Sequence, residues 1–157
     1  MIGHGDFPSR EAFDTALAAE IDRHAPKLVA LAGFMRVLSP RFVARYAGRL
    51  FNIHPSLVPA FPGLNTHQRA LAAGVKLHGC TVHLVTAELD SGPIVIQAAV
   101  PVRAGDTAES LAARVLEQEH LIYARALRWF LDGGLVIGDG RVDVEQGDAQ
   151  LVFADRS

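Results

Sequence analysis

Apolar and polar positions in the first part of the chain follow the spacing of a helix and then that of a strand. Apolar side chains recur at four-residue intervals over residues 9–24, which predicts a helix capped by Ser9 and ended by Pro26. Residues 27–33 form a short, continuous apolar run that closes on glycine. Such a run is typical of a buried strand in a parallel sheet.

A second helix and strand follow directly. Residues 38–48 place Ser39 at the N-cap, Pro40 at the first helical position and Gly48 after the end, which predicts a short helix. Residues 49–54 read as the next strand. Strand, helix and strand within this length predict a βαβ unit with two parallel strands and a right-handed crossover.

The remaining pattern predicts a helix, a pair of strands, a long helix and a hairpin, over residues 65–74, 79–102, 106–134 and 135–144. The strand pair turns at residues 90–93, and the hairpin turns at residues 139–140. Asp106 and Glu109 have the spacing of a capping box at the start of the long helix. The order of these elements predicts a layered α/β domain with a partly parallel sheet.

Composition limits the classes of protein to which the chain can belong. A length of 157 residues suits one domain, and a hydrophobic share of 50% allows a true core. No apolar run is long enough to span a bilayer, and the N-terminus lacks the regions of a secretory signal. A single cysteine, Cys80, fits a reducing cytoplasm. The formal charge of −2 argues against general nucleic-acid binding.

Familiar motifs of metal, covalent and nucleotide chemistry are missing from the sequence. None of the seven histidines belongs to an H-E-x-x-H motif or to a Cys/His ligand pair, so we expect no metal site. No G-x-S-x-G motif supports a serine hydrolase. No G-x-G-x-x-G follows a predicted strand, so dinucleotide binding has no support either.

Candidate chemistry begins where the strand over residues 49–54 ends. Asn52 and His54 are two residues apart on this strand and therefore project from the same face. A loop stiffened by three prolines follows them, and Asp90 stands on a separate turn. Taken singly, a histidine at a strand end is more often structural than catalytic, and an aspartate before Ser-Gly is usually a turn former.

Together, these three side chains suit acyl transfer. The Asn52 amide and a protonated His54 can both donate hydrogen bonds to an oxygen that becomes negative in a tetrahedral intermediate. A nearby carboxylate, Asp90, favours the charged imidazole and can accept a proton through water. No nucleophilic side chain is needed if the substrate brings its own amine. The combination predicts direct transfer of a one-carbon acyl group to an amine.

The long helix holds a carboxylate where an apolar residue is due. Its apolar face runs through Ala108, Leu111, Val115, Ile122, Ala126 and Trp129. Gln118 and Glu119 fall within that stripe. A buried carboxylate is costly unless it is paired or bound to a ligand, whereas a helix edge would let Glu119 reach water. The pattern leaves both interpretations open.

Three longer segments carry a family resemblance. "LAGFMRVLSPRF", "NIHPSLVPAFPGLNTH" and "LDSGPIVIQAAVPV" closely resemble the glycinamide ribonucleotide formyltransferases, a branch of the folate-dependent formyltransferase family. The resemblance extends from Asp6 to about residue 142. It implies a three-layer, Rossmann-like α/β fold with a mostly parallel sheet. It also implies transfer of a formyl group from 10-formyltetrahydrofolate to glycinamide ribonucleotide, in cytoplasmic purine biosynthesis.

The resemblance assigns roles to individual residues. It makes Asn52, His54 and Asp90 the catalytic trio, with no metal. It implies contacts with the folate co-substrate at Met35, Arg36, Val37, Leu38, His83, Thr86 and Asp90. It places Pro55 and Glu119 against the ribonucleotide substrate, which would explain the carboxylate in the apolar stripe.

The resemblance begins inside the family pattern. Members of the family normally start with an apolar strand and a Gly-rich loop that binds phosphate, and neither occurs in these residues. We therefore expect one domain over residues 1–157 that lacks this segment, with an unpaired sheet edge near residues 28–32. We also expect weaker phosphate binding, poor turnover by the chain alone, and homodimerisation or aggregation through the open edge.

Other functions stay open at this point. A formyltetrahydrofolate deformylase would use a similar trio and give the formyl group to water, although such relatives usually differ at the position of Pro55. An enzyme that formylates initiator tRNA is disfavoured because the chain has no basic C-terminal extension. A folate-binding remnant without activity is the third alternative, and the missing phosphate loop favours it.

Overall fold

A computed structural model describes residues 7–34, 36–145 and 147–154. In chain order its elements are α1 (Arg10–Arg23), β1 (Val29–Leu31), α2 (Pro40–Arg45), β2 (Leu50–His54), α3 (Thr66–Ala72), β3 (Leu77–Leu84), β4 (Ile94–Pro101), α4 (Ala108–Leu131), β5 (Leu135–Gly138), β6 (Arg141–Val144) and β7 (Leu151–Phe153). Every element predicted from the hydrophobic pattern is present, with shorter bounds in most cases. The strand β7 was not predicted.

Five strands form the main sheet, in the order β1-β2-β3-β4-β7. The outer pairs β1–β2 and β4–β7 are parallel, whereas β3 is antiparallel to both of its neighbours. Four of the five strands therefore run in one direction, and only β3 opposes them. This confirms the mostly parallel sheet, while β5 and β6 form the separate hairpin that the sequence predicted.

The βαβ unit is confirmed, but one of its strands differs from the prediction. The strand β1 pairs in parallel with β2, with Val29 opposite Leu50. It is only three residues long, and Ala30 at its centre is exposed, so the predicted burial of this strand is wrong. The reason is position, because β1 lies at the edge of the sheet and has no strand on its outer side within the described residues. Within the described residues, β1 is therefore an edge strand.

Serine side chains start the first two helices as predicted. Ser9 accepts a hydrogen bond from the Ala12 N–H at 3.1 Å. Ser39 accepts one from the Phe42 N–H at 3.4 Å, and Pro40 occupies the first helical position. Both contacts satisfy a backbone donor that the first turn of a helix leaves without a partner.

The start of α4 differs from the predicted capping box. Thr107, not Asp106, is the N-cap, and it exchanges hydrogen bonds with Ser110. Asp106 instead accepts hydrogen bonds from the Arg114 guanidinium, one of them at 2.8 Å. These contacts hold the pKa of Asp106 well below its usual range. The ion pair therefore removes Asp106 from the capping position that its spacing had suggested.

Helices cover both faces of the sheet and so form the three expected layers. On one face, α4 packs its buried residues Leu111, Val115, Ile122 and Ala126 against the strands. On the other face, the α2 residues Phe42 and Val43 pack with Tyr46 and Leu50, and α1 covers them. Side chains that alternate along β2 therefore enter two different cores. The α/β class and its layering are confirmed.

A pair of histidines links α3 to the sheet. His67 Nδ1 of α3 lies 3.2 Å from Nε2 of His78 in β3, and His78 is buried. Burial lowers the pKa of His78 to about 4 and also lowers the pKa of His67. The two rings therefore meet as neutral groups, one of which donates its N–H to the other.

We expect buried and exposed residues of α4 to contribute differently to the free energy of unfolding. Ile122→Ala should lower the free energy of unfolding by about 2–5 kcal/mol because it leaves a cavity under the helix. Its neighbour Leu121 is 61% exposed, so Leu121→Ala should stay within about 0.5 kcal/mol of the parent chain. Urea denaturation measures both variants, and equal losses would contradict this packing.

Stability should also fall in mild acid. The folded pKa of His78, at about 4, is below the unfolded value of 6.5. The stability linked to this ring is therefore complete above about pH 6.5 and is lost as the pH falls towards 4. Urea midpoints measured from pH 7.5 to 4.5 test the trend. His78→Phe should flatten it, whereas His24→Phe, at an exposed position, should leave it unchanged.

Candidate active site

The end of β2 brings the first two candidate residues to one place. Asn52 and His54 project from the same face of the strand, as their spacing predicted. Antiparallel pairing sets Asn52 opposite His83 and His54 opposite Thr81. The neighbouring strand therefore supplies polar side chains beside both residues.

His54 lies between two acceptors. Its Nε2 is 3.0 Å from the carbonyl oxygen of Phe61, and its Nδ1 is 3.4 Å from Oδ2 of Asp90. Both ring contacts are nearly sealed from solvent, since the side chains of His54 and Asp90 are 7% and 8% exposed. The Phe61 oxygen can only accept, so Nε2 carries a hydrogen, and the contact between Nδ1 and Asp90 is an ion pair when the ring is also protonated at Nδ1. The site therefore places the imidazole between a backbone carbonyl and a carboxylate.

The turn before β4 aims Asp90 at the site. Its backbone is left-handed, with φ of 49°, a conformation that aspartate tolerates better than most residues. Its Oδ2 accepts a hydrogen bond from the Gly63 N–H at 2.9 Å, and its Oδ1 lies 3.7 Å from Nε2 of His83. The carboxylate thus sits between two histidines and is fixed by a backbone donor.

His83 orients the Asn52 side chain. Its Nδ1 carries the hydrogen, because the Leu84 carbonyl oxygen at 2.9 Å can only accept. Its Nε2 therefore holds a lone pair and receives the Asn52 Nδ2–H at 3.4 Å. Burial lowers the pKa of His83, which keeps the ring neutral and preserves this lone pair. The second Nδ2–H of Asn52 stays available for a ligand.

A cavity of about 560 Å³ opens beside these groups. Asn52, His54 and Asp90 line it, together with Pro55 and Glu119, the residues that the resemblance placed near the substrate. A volume of this size suits a small molecule with a few polar groups that fix its orientation. Expected site residues from three separate segments therefore share one chamber.

A narrower groove of about 70 Å³ adjoins this cavity. The residues expected to contact the folate line it, namely Arg36, Val37, Leu38, His83, Thr86 and Asp90. Arg36 and Val37 also line the larger cavity. Met35, the remaining residue of that set, is outside the described residues.

Glu119 reaches the cavity from α4. It is half-buried, whereas Glu117 on the same helix is exposed. Burial raises the pKa of Glu119, and the nearby charges of His120 and, to a smaller extent, His54 oppose that shift. The carboxylate therefore lies in the cavity wall and not at the water-facing edge that the sequence had left open.

Arg36 brings a donor that lacks a partner. Its guanidinium stacks over the Phe13 ring, with 4.6 Å from Cζ to the ring centroid. Its Nη1 is buried and has no hydrogen-bond partner among the described residues. An unsatisfied buried donor is costly, so an acceptor on a bound ligand would relieve it. The residue suits the polar edge or an anionic part of a co-substrate.

Sequence reasoning missed the backbone contacts of the site. The Phe61 carbonyl and the Gly63 N–H hold His54 and Asp90, yet neither group carries a side-chain signal. Phe61 and Asn65 adopt left-handed backbones with φ of 52° and 55°. Non-glycine residues with left-handed backbones are found more often at ligand-binding sites than elsewhere. The proline spacing indicated a stiff loop here but gave no indication of where its carbonyls point.

Two other kinds of feature are absent from the part of the chain that the structure describes. Across residues 7–34, 36–145 and 147–154, no three His, Cys, Asp or Glu side chains are grouped as a metal ion would need. In the same part of the chain, no helix has both the length and the apolar character required to cross a bilayer.

The geometry can be compared with known proteins. The family model described as formyl transferase matches residues 1–127. The phosphoribosylglycinamide formyltransferase of Escherichia coli (strain K12) is 59% identical over 129 residues, which are 82% of this chain. The crystal structure of glycinamide ribonucleotide transformylase 1 from Symbiobacterium toebii superposes with a TM-score of 0.87 at 51% identity. That match covers 90% of this chain and 66% of the other.

One similar structure carries a different name. A formyltetrahydrofolate deformylase from Pseudomonas syringae pv. tomato has a TM-score of 0.82 at 34% identity, over 87% of this chain and 46% of its own. The chain spans only 61% of the length of the E. coli relative. The family match covers well over half of the chain and includes every candidate site residue from 35 to 119. The chain belongs to the formyl transferase family.

Proposed function

We propose that the chain transfers a formyl group from 10-formyltetrahydrofolate to the amine of glycinamide ribonucleotide, in de novo purine biosynthesis. The observation that carries this proposal is the convergence of Asn52, His54 and Asp90 on one cavity. The names of the most similar relatives support the same choice of substrates. Cys80 is free and buried, which is compatible with a reaction in the reducing cytoplasm.

The first step forms a bond and a negative charge. The substrate amine attacks the formyl carbon, and the carbonyl electron pair moves onto the formyl oxygen. Asn52 donates its free Nδ2–H to this oxygen, and His54 turns its Nδ1–H from Asp90 to the same atom. Preorganised donors of this kind stabilise charge that develops in the transition state. The 3.4 Å distance from Nδ1 to Asp90 is long for a charged hydrogen bond, so this donor is easily redirected.

The second step moves one proton. The attacking nitrogen becomes cationic and passes its proton to the Asp90 carboxylate, directly or through one water. Collapse of the intermediate restores the carbonyl and releases the folate nitrogen, which takes the proton from Asp90. Atoms and charges balance without a metal or a covalent enzyme intermediate. The Gly63 N–H holds Asp90 in place during both transfers.

The two cavities divide the ligands between them. We place the pterin of the folate against residues 35–38, with His83, Thr86 and Asp90 at its edge, as the family resemblance implies. We place the ribonucleotide in the larger chamber, with Pro55 beside the glycinamide part and Glu119 facing its polar atoms. In this arrangement the formyl group lies where the two cavities meet, beside Asn52 and Asp90, which line both.

Hydrolysis of 10-formyltetrahydrofolate is the second candidate. The similarity to a deformylase structure at 34% identity favours it. The same trio would then activate water in place of an amine. Pro55 argues for the amine, because deformylase relatives usually differ at this position. Release of formate in the absence of any amine substrate would identify the hydrolase.

His54→Ala and Asp90→Asn should each lower kcat for formyl transfer by about a hundredfold or more, the usual scale for an acid or base group. The assay follows loss of 10-formyltetrahydrofolate and formation of formylglycinamide ribonucleotide. His24→Ala serves as the control, since His24 lies at the exposed end of α1. Turnover at the parent rate in His54→Ala would refute the assigned role.

Glu119→Gln should raise KM for glycinamide ribonucleotide about tenfold and change KM for the folate much less, since the carboxylate lines only the larger chamber. The parent chain should bind the ribonucleotide better as the pH rises, because burial raises the pKa of Glu119 and the charged form is complete only above that value. Glu117→Gln, on the exposed side of α4, is the matched control. Equal effects of the two variants would count against the assignment.

A further inference from the structure

Three polar side chains form a row across the middle of the sheet. His54 of β2 pairs with Thr81 of β3, and Thr81 pairs with Gln97 of β4. Residues directly opposite each other in antiparallel strands project from the same face. The row therefore starts at the proposed catalytic histidine and ends at a half-buried glutamine two strands away.

Thr81 and Gln97 form hydrogen bonds with the loop that follows β2, which we call the proline loop (residues 55–62). Thr81 Oγ1 donates to the Ser56 carbonyl at 2.7 Å and accepts from the Val58 N–H at 3.2 Å. Gln97 Nε2 donates to Thr81 Oγ1 at 3.0 Å and to the Val58 carbonyl at 3.1 Å. Thr81 is fully buried, so its one hydrogen and two lone pairs are all used inside the protein.

The proline loop in turn reaches the catalytic groups. The hydroxyl of Ser56 lies 3.1 Å from the Phe61 carbonyl, and that same carbonyl accepts from His54 Nε2 at 3.0 Å. Just after the loop, Gly63 donates to Asp90. The start of the loop is therefore fixed to the sheet by Thr81 and Gln97, and its end sets the positions of His54 and Asp90.

We propose that Gln97 is a positioning residue for His54. It touches neither the cavity that holds the proposed ligands nor the histidine itself. It fixes the proline loop, and through the loop it fixes the Phe61 carbonyl, which accepts the Nε2–H of His54. Only the predicted effect on kcat rests on the proposed function. The hydrogen bonds that link Gln97 to His54 through the proline loop do not depend on it.

The structure supplies a matched control for Gln97. Gln150 is also a half-buried glutamine whose Nε2 donates two hydrogen bonds, to the carbonyls of Val95 and Val142, each at 2.8 Å. Its bonds tie the C-terminal segment to β4 and β6 and do not touch the proline loop. Methionine has nearly the shape of glutamine but no N–H, so Gln97→Met and Gln150→Met each remove two donated bonds.

The experiment records the ¹⁵N chemical shift of His54 Nε2 in the full chain, through long-range coupling to the ring C–H protons. In Gln97→Met we expect this shift to move away from the N–H value, because the Phe61 carbonyl no longer stays in place. Gln150→Met should keep the His54 Nε2 shift of the parent chain. Its urea midpoint should fall by about as much as that of Gln97→Met. In formyl transfer, Gln97→Met should lower kcat about tenfold to a hundredfold with KM nearly constant.

The outcomes separate this inference from the proposed function. An unchanged His54 shift in Gln97→Met overturns the inference even if kcat falls, and so does an equal change in both variants. If the parent chain shows no formyl transfer, the proposed function loses its support, and the shift comparison still decides the role of Gln97. Should Gln97→Met not fold, Thr81→Val carries the same test, with Thr81→Ser expected to restore the parent shift because it keeps the hydroxyl.

Discussion

The imidazole of His54, held between a backbone carbonyl and a carboxylate, is the contact on which the organisation of the site depends. Its two acceptors come from distant segments, since Phe61 follows β2 and Asp90 precedes β4. Both residues need left-handed backbones to present their oxygens. The ring contacts both acceptors because the loop folds back over the sheet and the turn closes towards it. One side chain therefore joins two segments that are distant in the sequence.

Burying so many polar atoms requires that each finds a partner. The sheet provides these partners because antiparallel β2, β3 and β4 set polar residues opposite each other, with Asn52 beside His83 and His54 beside Thr81. Neutral His83 offers a lone pair to Asn52, while Thr81 and Gln97 form hydrogen bonds with the backbone of the proline loop. One face of α4 meets the opposite side of these strands, so the polar network has a rigid apolar support. A site built on paired strands keeps its geometry better than one carried by loops alone.

The residues that match the family model end before the last strands of the fold begin. All of the candidate site residues lie within the matched residues 1–127, whereas β5, β6 and β7 lie beyond them. The strand β7 adds a fifth member to the sheet next to β4, the strand that carries Gln97. The part shared with formyl transferases therefore holds the proposed chemistry, and the C-terminal part extends the sheet that supports it. At the opposite edge, β1 has no further strand beside it within the described residues.

Local sequence patterns determined the helices, most of the strands and the shared face of Asn52 and His54, because periodicity, caps and a two-residue spacing act over a few positions. Ser9, Ser39 and the pair Asn52 and His54 could be assigned in this way. The tertiary structure alone decided the exposed edge position of β1, the pairing of Asp106 with Arg114, and β7. It also decided that His83 accepts a hydrogen bond from Asn52 and that the Phe61 carbonyl accepts one from His54. These contacts join residues far apart in the chain or involve backbone atoms that every residue shares, so no local pattern can encode them.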